Sequence, residues 1–132
     1  MNNTEKMMAV GKLVYGDNWQ SPLSRDIDVD SRTIRYALKG EREINHLSSR
    51  LLEALEQKIE KIKSAIDIIN RDKMSGDDVD VDIISNIIDG YEYHDEQYKK
   101  AAFDEMNNAV YADTWLSDLD SIARKWSKIN KN

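Results

Sequence analysis

An all-α fold is what this sequence predicts, and three observations carry the expectation. Apolar residues recur at intervals of three and four along most of the chain. No strand pattern stands out along the chain. Breakers are sparse, with one Pro and five Gly in 132 residues, too few for the turns of a many-stranded β fold.

The length fits one domain, or one small domain with a helical appendage. A hydrophobic fraction of 40% with three Trp and six Tyr can build a modest core. The absence of Cys excludes disulfides, thiolate metal sites and Cys nucleophiles, and it fits a reducing compartment. The opening "MNNTEKMMAVGKL" has no long apolar core and no run reaches membrane-spanning length, so a cytoplasmic protein with no membrane partner is expected.

Taken in order, "TEKMMAVGKLVYG" reads as a helix with Thr4 as N-cap and Gly16 as stop. Met7, Met8, Val10, Gly11, Val14 and Tyr15 fall near one side of it. "QSPLSRDI" follows, with Pro22 in a first turn where its missing N–H is not needed. Asp30 or Ser31 caps the next helix, "SRTIRYALK", which Gly40 ends. "REINHLSSRLLEALEQKIEKIKSAIDIINRDK" then holds helical periodicity for about 28 residues. Within it Leu52, Leu55, Ile59, Ile62, Ile66 and Ile69 step by three and four, the spacing of a coiled-coil seam and a candidate dimer contact. The same pattern also suits a core helix packed on its own C-terminal neighbours. "MSGDDVDVD" reads as a linker, "VDIISNIID" as a short helix ended by Gly90, and "EYHDEQYKKAAFDEMNNAVYA" as another, with Tyr98, Ala102, Met106 and Ala109 on one stripe. Asp113 or Thr114 is expected to cap a last helix carrying Trp115, Leu119, Ile122, Trp126 and Ile129.

Charge divides the chain. Residues 1–50 carry 8 Lys/Arg against 7 Asp/Glu, whereas residues 51–132 carry 11 against 18. The net charge of -6 therefore belongs to the later part, and it does not exclude a nucleic-acid-binding first third.

The densest pattern is "NWQSPLSRDIDVDSRTIRYALKGER". Counted from Gln20, apolar residues occupy places four, eight, ten and fifteen (Leu23, Ile27, Val29, Ile34), and small Ser24 stands at place five. These are the places that wedge two short helices across a tight turn; Ala37, at place eighteen, is apolar but small. The stretch "YGDNWQSPLSRDIDVDSRTIRYALKGER" resembles the helix-turn-helix of phage repressors and related small prophage regulators, over residues 6–50, about a third of the chain. That family prefers Ala where Ser24 stands and Gly where Asp28 stands, although Asp tolerates a left-handed turn better than most residues. It often has Trp where Ala37 stands, so Leu38 or Trp19 is left to fill that space.

The resemblance implies a recognition helix over 31–39. Arg32 and Arg35 would read base edges, since a guanidinium matches guanine O6 and N7. Gln20, Tyr36, Lys39 and Arg42 would hold phosphates, and Ser31 completes the outward face. Asp30 alone among Asp26, Asp28 and Asp30 would lie near the groove. The implied partner is double-stranded DNA, bound as a homodimer in a bacterial cell or phage-infected host. Domain organisation follows: 1–50 a helix-turn-helix DNA-binding domain, 51–73 a long helix with the dimer seam, and 74–132 an acidic helical region for oligomerisation or a protein partner.

No enzyme, cofactor or metal is expected. "DDVDVD" lacks the Gly and Glu of a calcium loop, with Ile83 and Asp89 in those places. His46 is isolated, and His94, Asp95 and Glu96, adjacent on an expected helix, are expected to point apart. The competing expectation is an acidic protein-interaction module, a phage-encoded inhibitor or nucleic-acid mimic that keeps the two short helices as a scaffold. The late charge and Tyr91, Tyr93, Tyr98, Tyr111, Trp115 and Trp126 motivate it.

Overall fold

The computed structural model describes residues 1–129. Among them are seven α-helices: α1 Asn3–Tyr15, α2 Gln20–Asp26, α3 Ser31–Leu38, α4 Leu47–Ile69, α5 Val81–Asp89, α6 Glu96–Asn108 and α7 Leu116–Ser127. Two three-residue strands, β1 Lys73–Ser75 and β2 Asp113–Trp115, pair antiparallel. The chain is thus mainly helical, as its periodicity predicts. It divides into two compact units, Met1–Ser64 and Ala65 onward.

The first unit is built on α1 to α3 and the first turns of α4. Asn2 caps α1 by accepting the Glu5 N–H at 2.8 Å, so the cap lies two residues before Thr4. The Thr4 hydroxyl instead donates to the Ala37 carbonyl at 3.4 Å, tying α1 to α3. Gly16 ends α1 with φ of 81°. Met7 and Gly11 face the core, whereas Val14 turns outward and is exposed. Gly11 is dictated by packing: a Cβ there would lie 2.3 Å from the Trp19 ring. Met7, Trp19, Leu23, Ile27, Ile34, Ala37, Ile44, Leu47, Leu51 and Ala54 form one core cluster. Trp19 is 3% exposed within that cluster.

Helix α4 is 23 residues long, ending sooner than its periodicity suggests because Asn70–Asp72 tighten into a 3-10 turn and β1 follows. Only Leu47, Leu51 and Ala54 on it are buried. From Ile59 through Ile69 every residue is exposed.

The second unit corrects two expectations. "MSGDDVDVD" is not a linker: it begins in β1, with Lys73 opposite Trp115, Met74 opposite Thr114 and Ser75 opposite Asp113, and continues as a 3-10 turn. Gly76 permits the crossing, since a Cβ there would lie 1.9 Å from the Tyr111 carbonyl oxygen. Its N–H donates to Ala112 O at 3.0 Å. Asp113 and Thr114 sit in β2 and do not cap α7; buried Thr114 donates its hydroxyl to Tyr111 O at 2.9 Å. The α7 N-terminus is served from a distance, by the Asp72 carboxylate accepting the Ser117 N–H. That bonding holds Asp72 below the usual carboxylate range. Asp80 and Asp95 cap α5 and α6 through their side chains, as the Asp-rich lead-ins suit. Val79, Ile84, Ile88, Met106, Leu119 and Ala123 form the second core.

Candidate nucleic-acid interface

The geometry of α2 and α3 rests on a turn that the sequence singles out. Ile27 ends α2, Asp28 takes φ of 58°, and Val29 N–H donates to Ser24 O at 2.9 Å. Asp28 therefore occupies a left-handed position, with a short polar side chain that tolerates it. Ser24 is 5% exposed, and its hydroxyl donates to Ser21 O at 2.6 Å, so the small residue is buried and its polar atom satisfied. Leu23, Ile27 and Ile34 are buried, and Val29 and Leu38 pack partly against them.

Each nearby aspartate has a local structural role. Asp26 accepts from the Tyr15 hydroxyl and pairs with Lys58 Nζ at 3.1 Å, while that ammonium lies 4.5 Å from the Tyr15 ring centroid. Burial raises the Asp26 carboxyl, but the bonds from Tyr15 and Lys58 outweigh it and hold the group low. Burial and the bond to Asp26 push the Tyr15 phenol up. Asp30 caps α3, its carboxylate accepting the Arg32 N–H at 2.8 Å, so its charge is turned toward the helix N-terminus. At the other end Gly40, with φ of 75°, lets Glu41 N–H reach Tyr36 O at 2.9 Å and closes α3.

On that helix Ser31, Arg32, Arg35, Tyr36 and Lys39 are all exposed. Arg32, Arg35, Tyr36 and Lys39 follow the spacing that places residues on one face. Arg32, Arg35 and Lys39 form no ion pair among the described residues. Arg42, beyond the helix, is exposed and its Nη1 reaches the Thr33 hydroxyl at 3.5 Å, which keeps it beside α3. Gln20 stands apart from this row as the half-buried first residue of α2.

One residue escaped the sequence pattern. Arg50 Nη1 donates to Ile27 O at 2.9 Å and Nε to Asn45 O at 3.0 Å, so it clamps the turn from α4. No spacing signal marks such a role, because its partners are main-chain carbonyls made available only by the fold. The seam residues lie elsewhere on α4: Leu52, Ile59, Ile62, Ile66 and Ile69 are exposed and Leu55 is half-buried.

The second unit uses most of its aromatics internally. Tyr91 donates to Asp120 at 2.8 Å, Tyr98 stacks on Trp126, and Trp126 Nε1 donates to Glu105 at 2.8 Å. Trp115 Nε1 donates to Asn70 at 3.1 Å, and Tyr93 donates to Ile88 O at 3.2 Å. Tyr111 is the aromatic of this set left mainly in solvent, at 72% exposure. No protein-family model, curated protein or solved structure matches the chain. No helix among the described residues is long and apolar enough to cross a membrane.

Proposed function

We propose that this protein is a sequence-specific DNA-binding transcriptional regulator of phage or prophage type, which binds its operator as a homodimer. The observation that carries the reading is the exposed row Arg32, Arg35, Tyr36 and Lys39 on a helix fixed by a tight, left-handed turn. A short helix held this way suits insertion into a major groove, with Arg32 and Arg35 toward base edges. Tyr36, Lys39 and Arg42 would hold the flanking phosphates, joined by the Gln20 amide. Ser31 lies at the end of α3 that would enter first. A single recognition helix buries too little surface for tight specific binding, so two copies act together. Occupancy of an operator would then block or assist polymerase at a neighbouring promoter.

The test is retention of random DNA fragments by the full chain, followed by sequencing. A recovered two-fold-related sequence is expected. Arg35→Ala should lose preference at one base position of each half-site. Lys39→Ala should weaken binding to all sequences and lower the steepness of its salt dependence by about one counterion.

The second reading, an acidic module that binds a protein or mimics nucleic acid, draws its support from exposed carboxylates of the second unit such as Asp77, Asp78, Asp82, Asp89 and Glu92. It gains nothing from the aromatics, most of which are engaged within the unit. Recovery of a protein and no DNA would favour it.

A further inference from the structure

The exposed row on α4 asks for a partner. Leu52, Ile59, Ile62, Ile66 and Ile69 are each between 49% and 61% exposed, an expensive arrangement for one chain in water. We infer that this face pairs with the same face of a second copy, and that the two helices run antiparallel. The pairing rests on the dimer half of the proposed function and does not depend on DNA.

Two features of the sequence on α4 select the direction. The row places Leu52, Ile59 and Ile66 at one set of core positions and Leu55, Ile62 and Ile69 at the other. In an antiparallel pair centred between Ile59 and Ile62, every core position meets one from the opposite set: Leu52 meets the partner's Ile69, Leu55 the partner's Ile66, and Ile59 the partner's Ile62. No core residue is left over in this pair or in a parallel in-register one, so the direction rests on residue type and flanking charge. Ile at both core positions also disfavours a parallel two-stranded coil.

The flanking charges agree. In a parallel pair Lys58 would face the partner's Lys63 on both sides of the seam, with like-charge repulsion. In the antiparallel pair Glu56 faces the partner's Lys63, twice by symmetry, and Lys58 faces the partner's Ala65. Lys58 is in any case drawn to Asp26 and the Tyr15 ring of its own chain. Glu56 and Lys63 are exposed, and Lys63 lies 3.6 Å from Glu60, a weak contact that leaves its side chain 66% exposed. The register also sets a length. At 1.5 Å rise per residue the two copies of Ser49, near the start of α4, stand about 35 Å apart along the axis.

The chain has no Cys, so Ser49→Cys carries a single spin label per copy at an exposed site. Sedimentation of the full chain gives the mass and electron-electron dipolar spectroscopy the label distance, both without DNA. The expected result is a concentration-dependent dimer with a distance of about 35–45 Å; a parallel pair would place the labels within about 15 Å. Ile62→Asp should yield monomer. Glu56→Lys should weaken the dimer on the order of ten-fold, and adding Lys63→Glu should restore it. A monomer at every concentration, a trimer or tetramer, a short distance, or an Ile62→Asp variant that stays dimeric would each overturn the inference. Absence of DNA binding alongside the long distance would overturn the functional reading and leave the pairing intact.

Discussion

The two units use similar residues for opposite ends. In the first, the aspartates beside α3 are engaged locally, Asp26 by Tyr15 and Lys58 and Asp30 by the start of α3, and the cations of α3 are left facing solvent. In the second, aromatic and basic groups are consumed locally, as in Trp126 and Lys125 on Glu105, and many carboxylates are left facing solvent. Burial and bonding of Glu105 show the balance: the bonds from Lys125 and Trp126 hold its carboxyl low against desolvation. Net charge therefore says little about function until the charges bound within the fold are set aside.

Separate cores are the first thing to challenge. Leu23→Ala and Leu119→Ala remove side chains that are each 1% exposed and should cost about 2–5 kcal/mol apiece. Hydrogen exchange should place the loss of protection in α1–α3 for the first and in α5–α7 for the second. Equal loss throughout both variants would mean one cooperative core and would break the comparison. A smaller effect is expected from Gly11→Ala, whose new methyl meets the Trp19 ring and should destabilise the first unit by about 1–3 kcal/mol in a denaturant titration.

The turn offers a finer test. Asp28→Gly should leave stability unchanged or raise it by up to about 1 kcal/mol, whereas Asp28→Val should lower it by about 1–2 kcal/mol, since a β-branched residue resists φ of 58°. Equal stability of the two variants would show that the left-handed turn is not maintained.

The smallest effect is in pH. Asp26 is held low in the folded state, so its stabilisation is complete above the unfolded carboxylate range, about pH 4, and is lost as pH falls through the lowered value. Tyr15 is held high, so its contribution is complete below about pH 10 and declines at higher pH. Because the Asp26 side chain is a third exposed, solvent screening limits the acid effect to about 1 kcal/mol or less. Tyr15→Phe should flatten both limbs of the first unit's stability profile; a profile that keeps its shape would remove the network from the account.

Local signals were the legible ones. Gly90 ends α5 in the sequence as it does in space, and Ile27 with Ile34 marks the α2–α3 wedge. At Asp28, where the resembling pattern has Gly, the backbone takes φ of 58°. Signals that depend on distant partners were not legible. Strands β1 and β2 are too short to alternate and find each other across α5 and α6. The start of α7 is capped by Asp72 and not by its own neighbours. Within the candidate interface the α3 face was readable from helical spacing, whereas Arg50 was not, since main-chain carbonyls leave no mark in a sequence.

The central claim is that the exposed cations of α3 meet DNA. Fluorescence anisotropy at low salt, with the full chain and the fragment it selects, compares wild type with Arg32→Ala and Arg35→Ala, each checked by hydrogen exchange for an intact first unit. Saturable binding by wild type and a loss of about 1–3 kcal/mol of specific affinity in each variant are expected. Wild-type protein that binds no DNA, or variants that bind as tightly as wild type, would contradict the claim.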